Sequence, residues 1–257
     1  SQWLGMARAL LDESPVFHAA IRACAKALDA HIDWPLIPTL RGEPEGADLG
    51  RVEVVQPALW AMNVALATLW RALGVQPDAV IGHSQGEIAA ACVAGHLSLA
   101  DGALVVARRS QVITTLAGTG AMGAVALSAE ALEPRLAPYG ARLALAVDNG
   151  PASAVVSGDP DAVEELVAQL DAEGTFARKV QVDYASHCAH IEGLEAELRR
   201  LLEPINPRRG SIPMLSTVTG ELLEGTELDA GYWYANLRNP VRFAPALRSL
   251  LAAGHSA

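Results

Sequence analysis

The fold is decided by one stretch of sequence, Asp78-Ala79-Val80-Ile81-Gly82-His83-Ser84-Gln85-Gly86-Glu87-Ile88-Ala89-Ala90-Ala91. Val80 and Ile81 are apolar and β-branched, which is typical of a short buried strand. The Ala-rich sequence from Glu87 onward is typical of a helix. Between them, residues 82–86 form a G-x-S-x-G sequence. The pattern predicts a sharp turn from strand to helix with a serine at its tip.

This turn gives Ser84 the surroundings of a nucleophile. Gly82 and Gly86 allow a turn so tight that a Cβ at either position is expected to collide with its neighbours. The serine hydroxyl is then held where the free N–H groups and the positive dipole end of the helix face an oxyanion. The first such donor is the backbone N–H of Gln85. The alternative is a surface Gly/Ser turn that carries the five-residue pattern by chance.

Composition bounds the class of protein. The chain has 257 residues, of which 51% are apolar and 19% charged, so it is globular rather than disordered. A formal net charge of −10 disfavours a nucleic-acid partner. The longest mostly apolar run, Ala58–Trp70, is too short to span a bilayer, and we expect no membrane partner. Three cysteines without metal-ligand spacing predict no metal site and a cytoplasmic, reducing location.

A block in the middle of the chain has a pattern of alternating short strands and helices that differs from the rest of the sequence. Its order, βαββαβ, predicts a ferredoxin-like unit inserted into a larger part. We expect the inserted unit to cover residues 121–183 and the larger part to cover residues 1–120 and 184–257. The expected elements of the block are strand Met122–Leu127, helix Ala129–Ala137, strands Leu143–Val147 and Ala154–Ser157, helix Asp161–Leu170 and strand Ala177–Val182.

The segments outside this block are mainly helical by pattern. Residues 3–30 predict an amphipathic helix that breaks near Ser14-Pro15. Residues 32–49 predict a loop. Pro57 is suited to the first turn of the next helix, which we expect to end near Leu73.

A serine nucleophile needs a base. Among the seven histidines, His187 is the best placed, because it follows a predicted strand and precedes a predicted helix. It therefore lies where the inserted block returns to the larger part. His190 is the rival. Since lone histidines often fill surfaces or cores, spacing alone leaves this assignment open.

Several motifs together resemble one family. They are Gly82-His83-Ser84-Gln85-Gly86-Glu87, Arg109-Ser110, Asn149-Gly150-Pro151 with Val155-Val156-Ser157-Gly158, Tyr184–His187, and Tyr232-Trp233-Tyr234 with Asn236-Leu237. In this order they resemble the acyltransferase domain of modular type I polyketide synthases, related to malonyl-CoA:acyl carrier protein transacylases. The resemblance covers essentially the whole chain. It implies an α/β fold, an α/β-hydrolase-like core with an inserted ferredoxin-like subdomain.

The resemblance also implies roles. Ser84 matches the nucleophile and His187 the general base, while His190 lies outside the motif. A main-chain carbonyl orients the base in this family, and the matching position is Asn236, whose side chain then matters little. Arg109 matches the arginine that binds the free carboxylate of the extender unit, because a guanidinium can donate two parallel hydrogen bonds. Neighbouring Arg108 is expected to be a solvated helix charge.

The first motif of the family is G-Q-G-S-Q, whereas this chain opens on Ser1-Gln2. We therefore expect the second oxyanion donor, and a strand after the C-terminus, to lie outside the chain. Loss of one such donor costs about 2.7–4 kcal/mol in catalysis. We expect the complete domain to be active and leave open the activity of this stretch alone.

Substrate choice is implied by the four residues that end in the catalytic histidine. Malonyl-selective members resemble His-Ala-Phe-His there, whereas this chain has Tyr184, Ala185 and Ser186 before His187. A small Ser186 leaves room for an α-methyl group that a Phe would crowd. Gln85 after the nucleophile and the segment 51–57 also resemble methylmalonyl-selective members.

The sequence thus predicts a ping-pong acyltransferase. It moves a methylmalonyl unit from methylmalonyl-CoA through an acyl-Ser84 intermediate to the phosphopantetheine arm of an acyl carrier protein. No cofactor of its own is expected, because the CoA thioester is substrate and the phosphopantetheine belongs to the acceptor. Further partners implied are the adjacent ketosynthase and linker domains of the same polypeptide. The alternatives are a malonyl-selective transferase, a serine esterase or thioesterase, and a non-catalytic docking fragment.

Overall fold

The computed structural model describes residues 2–256, which form a mixed α/β fold. Its helices are α1 (Arg8–Glu13), α2 (Pro15–Leu28), α3 (Leu36–Arg41), α4 (Val52–Ala72), α5 (Gly86–Ala94), α6 (Leu99–Ile113), α7 (Ala129–Leu136), α8 (Pro160–Ala172), α9 (Glu195–Leu202), α10 (Ala230–Arg238) and α11 (Phe243–Ala252). Its strands are β1 (Val80–Ile81), β2 (Ala121–Val125), β3 (Leu143–Gly150), β4 (Ser153–Gly158), β5 (Ala177–Lys179), β6 (Met214–Leu215) and β7 (Leu222–Leu223).

The first helices divide where the sequence predicted a break. Ser14 caps α2 by accepting a hydrogen bond from the N–H of Phe17, and Pro15 occupies the first position of that helix. The predicted loop after α2 contains one further short helix, α3, which the pattern did not reveal. Gly42 ends α3 in the left-handed conformation that glycine adopts without a Cβ clash.

Helix α4 begins earlier than predicted. Pro57 was expected in its first turn, but it lies inside the helix, which starts at Val52. A proline inside a helix removes one backbone hydrogen bond. The fully buried side chains of Val54 and Trp60 on either side of it compensate, since tertiary packing supplies most of a helix's stability. α4 is long and apolar enough to cross a membrane, yet half of it is buried inside the fold.

The larger part of the chain is built around α4, which packs against α2, α5 and α6. Its sheet has the strand order β1-β6-β7. β1 runs parallel to β6, with Val80 opposite Met214 and Ile81 opposite Leu215, and β7 is antiparallel to β6. The elbow turn leaves the end of β1 and leads directly into α5.

The middle block forms a second layer with its own core. β2 to β5 make an antiparallel sheet in the order β3-β4-β2-β5, and α7 and α8 supply the helices, which is the predicted βαββαβ order. The core of this block contains the buried side chains Leu132, Val156, Val163, Leu166 and Leu170.

Backbone hydrogen bonds join the two parts next to the site. The N–H of Val241 donates to the carbonyl of Ala146 over 2.8 Å, and the N–H of Asp148 donates to the carbonyl of Val241 over 2.9 Å. On the opposite side, the N–H of Gly118 donates to the carbonyl of Asp183 over 2.7 Å. The segments before and after the inserted block are thereby held in fixed positions.

The elbow turn is tight at one glycine only. A Cβ at Gly82 would lie against the backbone nitrogen of Glu87, whereas a Cβ at Gly86 would meet nothing within 4 Å. The expectation that both glycines are sterically required is therefore wrong for Gly86. The turn places Ser84 at φ 53°, in the left-handed region that residues with a side chain seldom occupy.

Gly82→Ala and Gly86→Ala form a matched pair that tests this turn. We expect Gly82→Ala to destabilise the protein by about 1–3 kcal/mol or more, because the methyl group forces the backbone of the elbow apart. Gly86→Ala should be neutral or slightly stabilising, since alanine is the better helix former by about 1 kcal/mol. Urea unfolding followed by circular dichroism measures both. Equal losses of stability in the two variants would contradict the steric argument.

Candidate active site

A chain of hydrogen bonds runs from Ser84 through His187 to the backbone. The Oγ of Ser84 lies 2.9 Å from the Nε2 of His187, and the Nδ1 of His187 lies 2.8 Å from the carbonyl oxygen of Asn239. A carbonyl can only accept, so Nδ1 carries the proton and Nε2 is the acceptor. The tautomer is therefore the one that can receive the proton of the Ser84 hydroxyl.

The orienting carbonyl is that of Asn239, which corrects the assignment to Asn236. α10 ends at Arg238, and the chain then turns so that the carbonyl of Asn239 faces the ring of His187. The Asn236 side chain, which was expected to matter little, has two hydrogen-bond partners at the site. Its Nδ2 donates to the carbonyl of Ser84 over 3.2 Å and to the carboxylate of Glu87 over 2.9 Å.

His187 is buried, and its surroundings favour the neutral form of its imidazole ring. Its backbone has φ 62°, and its N–H donates to the carbonyl of Leu237 over 2.9 Å. Burial, followed by the positive charge of Arg109, lowers the pKa of His187 to about 3. The carbonyl of Asn239 acts in the opposite direction, and that of Asn236 does so less. A neutral imidazole is the form that can act as a base.

Arg109 is a buried cation that points at the nucleophile. Its Nη2 donates to the Oγ of Ser84 over 3.2 Å, and its Nη1 donates to the Oε1 of Gln56 over 2.8 Å. Only 1% of the residue is exposed, and burial lowers the pKa of Arg109 to about 10. Its Nε has no partner within residues 2–256. Arg108, by contrast, donates to the side chain of Gln111 on its own helix, away from Ser84.

The segment before His187 lines the same region. Ala185 is fully buried, Ser186 is 7% exposed, and Tyr184 is partly buried. Burial raises the pKa of Tyr184, while the neighbouring Arg109 and Gln56 act in the opposite direction. The hydroxyl of Ser186 lies 3.6 Å from the sulfur of Met122 on β2. These contacts place the segment between the two parts of the chain.

Gln85 lies at the N-cap of α5, directly after the nucleophile. Within residues 2–256 its backbone N–H donates to no protein acceptor, so it is available to an oxyanion on the serine side of the turn. Its side-chain Oε1 is buried and without a partner in the same part of the chain.

The other histidines near the site have different contacts. The Nε2 of His190 pairs with Asp159 at 3.0 Å, so this ring is directed away from Ser84. The Nε2 of His83 lies 2.9 Å from the Oδ1 of Asn149, near the end of β3, and its ring lies 5.4 Å from that of Phe243. His83 therefore links the elbow to the inserted block rather than serving as the base.

Sequence reasoning missed two residues of the site, Gln56 and Glu87. Gln56 lies in a segment singled out for substrate selection, but no pattern indicated that it holds Arg109. Glu87 was visible as an acidic residue in an otherwise apolar helix, and its side chain is fully buried. A charged residue is seldom buried without partners, which is the signal that could have identified it.

One cleft is adjacent to these residues but does not contain Ser84 or His187. It has a volume of about 940 Å³ and lies between the first turn of α4, the end of α6 and residues 179–184. Tyr184 lines it, whereas Ser84 and His187 do not. We therefore assign the site from its hydrogen bonds. Within residues 2–256, no three His, Cys, Asp or Glu side chains come together as metal ligands.

Comparison with known proteins matches the whole length of the chain to one family. A model described as the acyl transferase domain matches residues 1–257. Polyketide synthase GfsB of Streptomyces halstedii is 59% identical over 253 residues, which are 98% of this chain and 4% of that protein. Erythronolide synthase EryA2 of Saccharopolyspora erythraea is 49% identical over 257 residues, 100% of this chain and 7% of that protein.

Solved structures agree with this result. The acyltransferase domain from module 8 of the salinomycin polyketide synthase is 54% identical, with a TM-score of 0.97. That comparison covers 100% of this chain and 60% of the solved chain. The chain thus spans a small fraction of its curated relatives and less than two thirds of the solved domain. The match along its whole length shows that the chain belongs to the acyl transferase domain family, as carried by modular type I polyketide synthases.

Proposed function

We propose that this chain transfers an extender unit from a CoA thioester to the phosphopantetheine arm of an acyl carrier protein, through an acyl-Ser84 intermediate. The observation that carries the proposal is the convergence on one atom: His187 and Arg109 both contact the Oγ of Ser84. We also infer that the larger part is an α/β-hydrolase-like core and that residues 121–183 form a ferredoxin-like insertion.

In the first half-reaction, the hydroxyl of Ser84 attacks the thioester carbonyl while its proton moves to the Nε2 of His187. The oxyanion forms where the N–H of Gln85 and the N-terminal end of α5 can stabilise it. The C–S bond then breaks, and the CoA thiolate takes the proton from His187. Asn239 holds the imidazole in the required tautomer throughout.

In the second half-reaction, the thiol of the carrier protein replaces CoA. His187 accepts the proton of that thiol, and the thiolate attacks the carbonyl of the acyl-serine. The Ser84–carbonyl bond breaks, and His187 returns the proton to the Ser84 oxygen. Because the two halves mirror each other, one base serves both.

Arg109 selects for a carboxylate on the acyl group. The residue is buried, and within residues 2–256 no carboxylate forms a salt bridge with it. Its unpartnered Nε and its remaining Nη hydrogens can donate to an anion beside Ser84. A malonyl-type extender unit supplies such an anion, whereas a neutral acyl group leaves the buried charge without a close counter-ion.

We further propose that the preferred unit is methylmalonyl. Ser186 is small, and together with Ala185 it leaves space beside His187 for an α-methyl substituent. Gln85 and the segment 51–57 support the same choice by their resemblance to methylmalonyl-selective members. Besides the carrier protein, the partners are adjacent ketosynthase and linker domains.

Acylation of Ser84 is the first prediction from this mechanism. Intact-mass analysis after exposure of the protein that carries this chain to a mixture of malonyl-, methylmalonyl- and ethylmalonyl-CoA should show one added acyl group, mainly methylmalonyl. Ser84→Ala should show none, because the attacking oxygen is absent. A neutral p-nitrophenyl ester should be a poor substrate. Label that maps to another residue, or rapid hydrolysis of the ester instead, would rule out the proposed transferase.

The pH dependence is a second prediction. Because the pKa of His187 is lowered to about 3, the base stays neutral above that pH, and kcat/KM should stay level from pH 8 to about 4. An acid limb near 6.5 would contradict this. Arg109→Met removes the positive charge that lowers the pKa, so its acid limb should move to higher pH. Both the wild-type protein and the Arg109→Met variant are assayed with a neutral acyl-CoA, so loss of carboxylate binding does not affect the comparison.

The third prediction concerns substrate preference in a double variant that carries Tyr184→His and Ser186→Phe. The new ring fills the space open to the α-methyl group, so preference should shift toward malonyl-CoA by roughly tenfold to two hundredfold in kcat/KM. Total activity should fall, since the ring also crowds Met122. Competition between the two CoA esters measures the ratio.

Ser186→Ala is the matched control for this double variant. It adds no volume and should keep the original preference. If the double variant also keeps that preference, selection lies outside the segment before His187.

A further inference from the structure

Glu87 is a buried carboxylate to which the proposed reaction assigns no role. It lies in the first turn of α5, three residues after Ser84, with its side chain fully buried. Four donors surround it. Its Oε1 accepts from the N–H of Thr217 at 2.6 Å and from the hydroxyl of Thr217 at 2.8 Å, and its Oε2 accepts from Tyr232 at 2.8 Å and from the Nδ2 of Asn236 at 2.9 Å.

The directions of these hydrogen bonds match an ionised carboxylate. The Oγ of Ser216 accepts from the N–H groups of Val218 and Thr219, so its own hydrogen is directed at the hydroxyl of Tyr232, 2.7 Å away. Tyr232 is then free to donate to Glu87. The Thr217 N–H and the Nδ2 group of Asn236 can only donate. Burial raises the pKa of Glu87, and the four donors oppose that rise.

Two of these groups also lie close to backbone carbonyls of the elbow turn. The Nδ2 of Asn236 lies 3.2 Å from the carbonyl of Ser84, and the hydroxyl of Thr217 lies 3.2 Å from the carbonyl of Gly82. Asn236 thus uses one amide hydrogen for Glu87 and the other for the nucleophile's own carbonyl. Its Oδ1 is buried without a partner within residues 2–256, so no hydrogen bond to this oxygen fixes the orientation of the amide. The carboxylate of Glu87 accounts for this orientation.

Asn236 stands on the helix that supports the base. The N–H of His187 donates to the carbonyl of Leu237, and its Nδ1 donates to the carbonyl of Asn239, both at the end of α10. Glu87 therefore connects the turn that carries the nucleophile to the helix end that carries the base. We propose that Glu87 is a positioning residue that fixes Ser84 and His187 relative to each other through Asn236. This inference rests on the proposed function.

Glu87→Gln tests the proposal with little change in shape. The new amide replaces one acceptor oxygen with an NH2 group. Placed at Oε2, this group faces the Nδ2 of Asn236, which can only donate, so the amide of Asn236 loses its fixed orientation and Ser84 shifts relative to His187. We expect kcat for formation of the acyl-enzyme to fall about 10- to 100-fold, the scale of a misplacement of about 1 Å. KM should change little, because the side chain of Glu87 is fully buried and its partners are protein groups, so it does not contact the substrate.

Tyr232→Phe is the matched control. It removes one donor from Glu87 but leaves the carboxylate and its bond to Asn236 in place. We expect a loss of stability with a distinctly smaller fall in kcat. If Glu87 only stabilises the fold, Glu87→Gln and Tyr232→Phe variants of equal stability will have equal kcat, and the proposal is overturned.

A double-mutant cycle supplies the second measurement. Asn236→Ala should lower kcat as Glu87→Gln does, and the two changes together should cost no more than either alone, because they act through one contact. Additive losses would overturn the proposal. Should Glu87→Gln fail to fold, a kcat for Asn236→Ala equal to that of Tyr232→Phe would overturn it as well.

The failure of this inference is distinguishable from failure of the proposed function. If the wild-type protein is labelled at Ser84 and Glu87→Gln retains full kcat, only the role of Glu87 is wrong. If the wild-type protein is not labelled at Ser84 by any acyl-CoA, the proposed reaction itself is wrong.

Discussion

The hydrogen bond between the Oγ of Ser84 and the Nε2 of His187 joins residues 103 positions apart, and the surrounding structure holds its two ends. Both residues have a positive φ, and within residues 2–256 they are the two non-glycine residues that do. Such backbone costs on the order of 1–3 kcal/mol each, so it persists only where the surroundings determine it fully. At Ser84 the close approach of Gly82 to α5 does so. At His187 the carbonyls of Leu237 and Asn239 hold both the backbone and the ring.

The charge of Arg109 is the second constraint. Burial of an ion costs several kcal/mol, and Gln56 and Ser84 offset only part of this with neutral hydrogen bonds. Glu87 adds a favourable charge at a distance, which raises the pKa of Arg109 against the effect of burial. Without an anionic ligand the site therefore lacks a close counter-ion. The same positive charge lowers the pKa of His187, so the residue proposed to bind an anion also helps to keep the proposed base neutral.

The sequence was informative where the chemistry is local. Ser84 stands in a local pattern that predicts a nucleophile, whereas the assignments of His187 and Arg109 rested on the resemblance to the family; the structure brings all three side chains together. The order of strands and helices in the inserted block also followed from periodicity. The sequence could not decide between the carbonyls of Asn236 and Asn239, because that choice depends on where α10 ends and how the chain turns afterwards. It also placed the start of α4 too late, since packing in the core outweighs the local preference of a proline.

A neutral carbonyl behind His187 has a consequence for proton transfer. A carboxylate in that position would stabilise the imidazolium more than the neutral carbonyl of Asn239 does, and burial together with the nearby charge of Arg109 makes the imidazolium a strong acid. A base that releases its proton readily suits a reaction in which one thiol leaves and another attacks. In the proposed reaction, the carboxylate of an acyl group bound to Arg109 would offset the charge that opposes protonation of His187. A neutral acyl group would not, so His187 would remain a weaker base toward Ser84 when such a group is bound. Under this proposal the guanidinium links recognition of the extender unit to the strength of the base that activates the nucleophile.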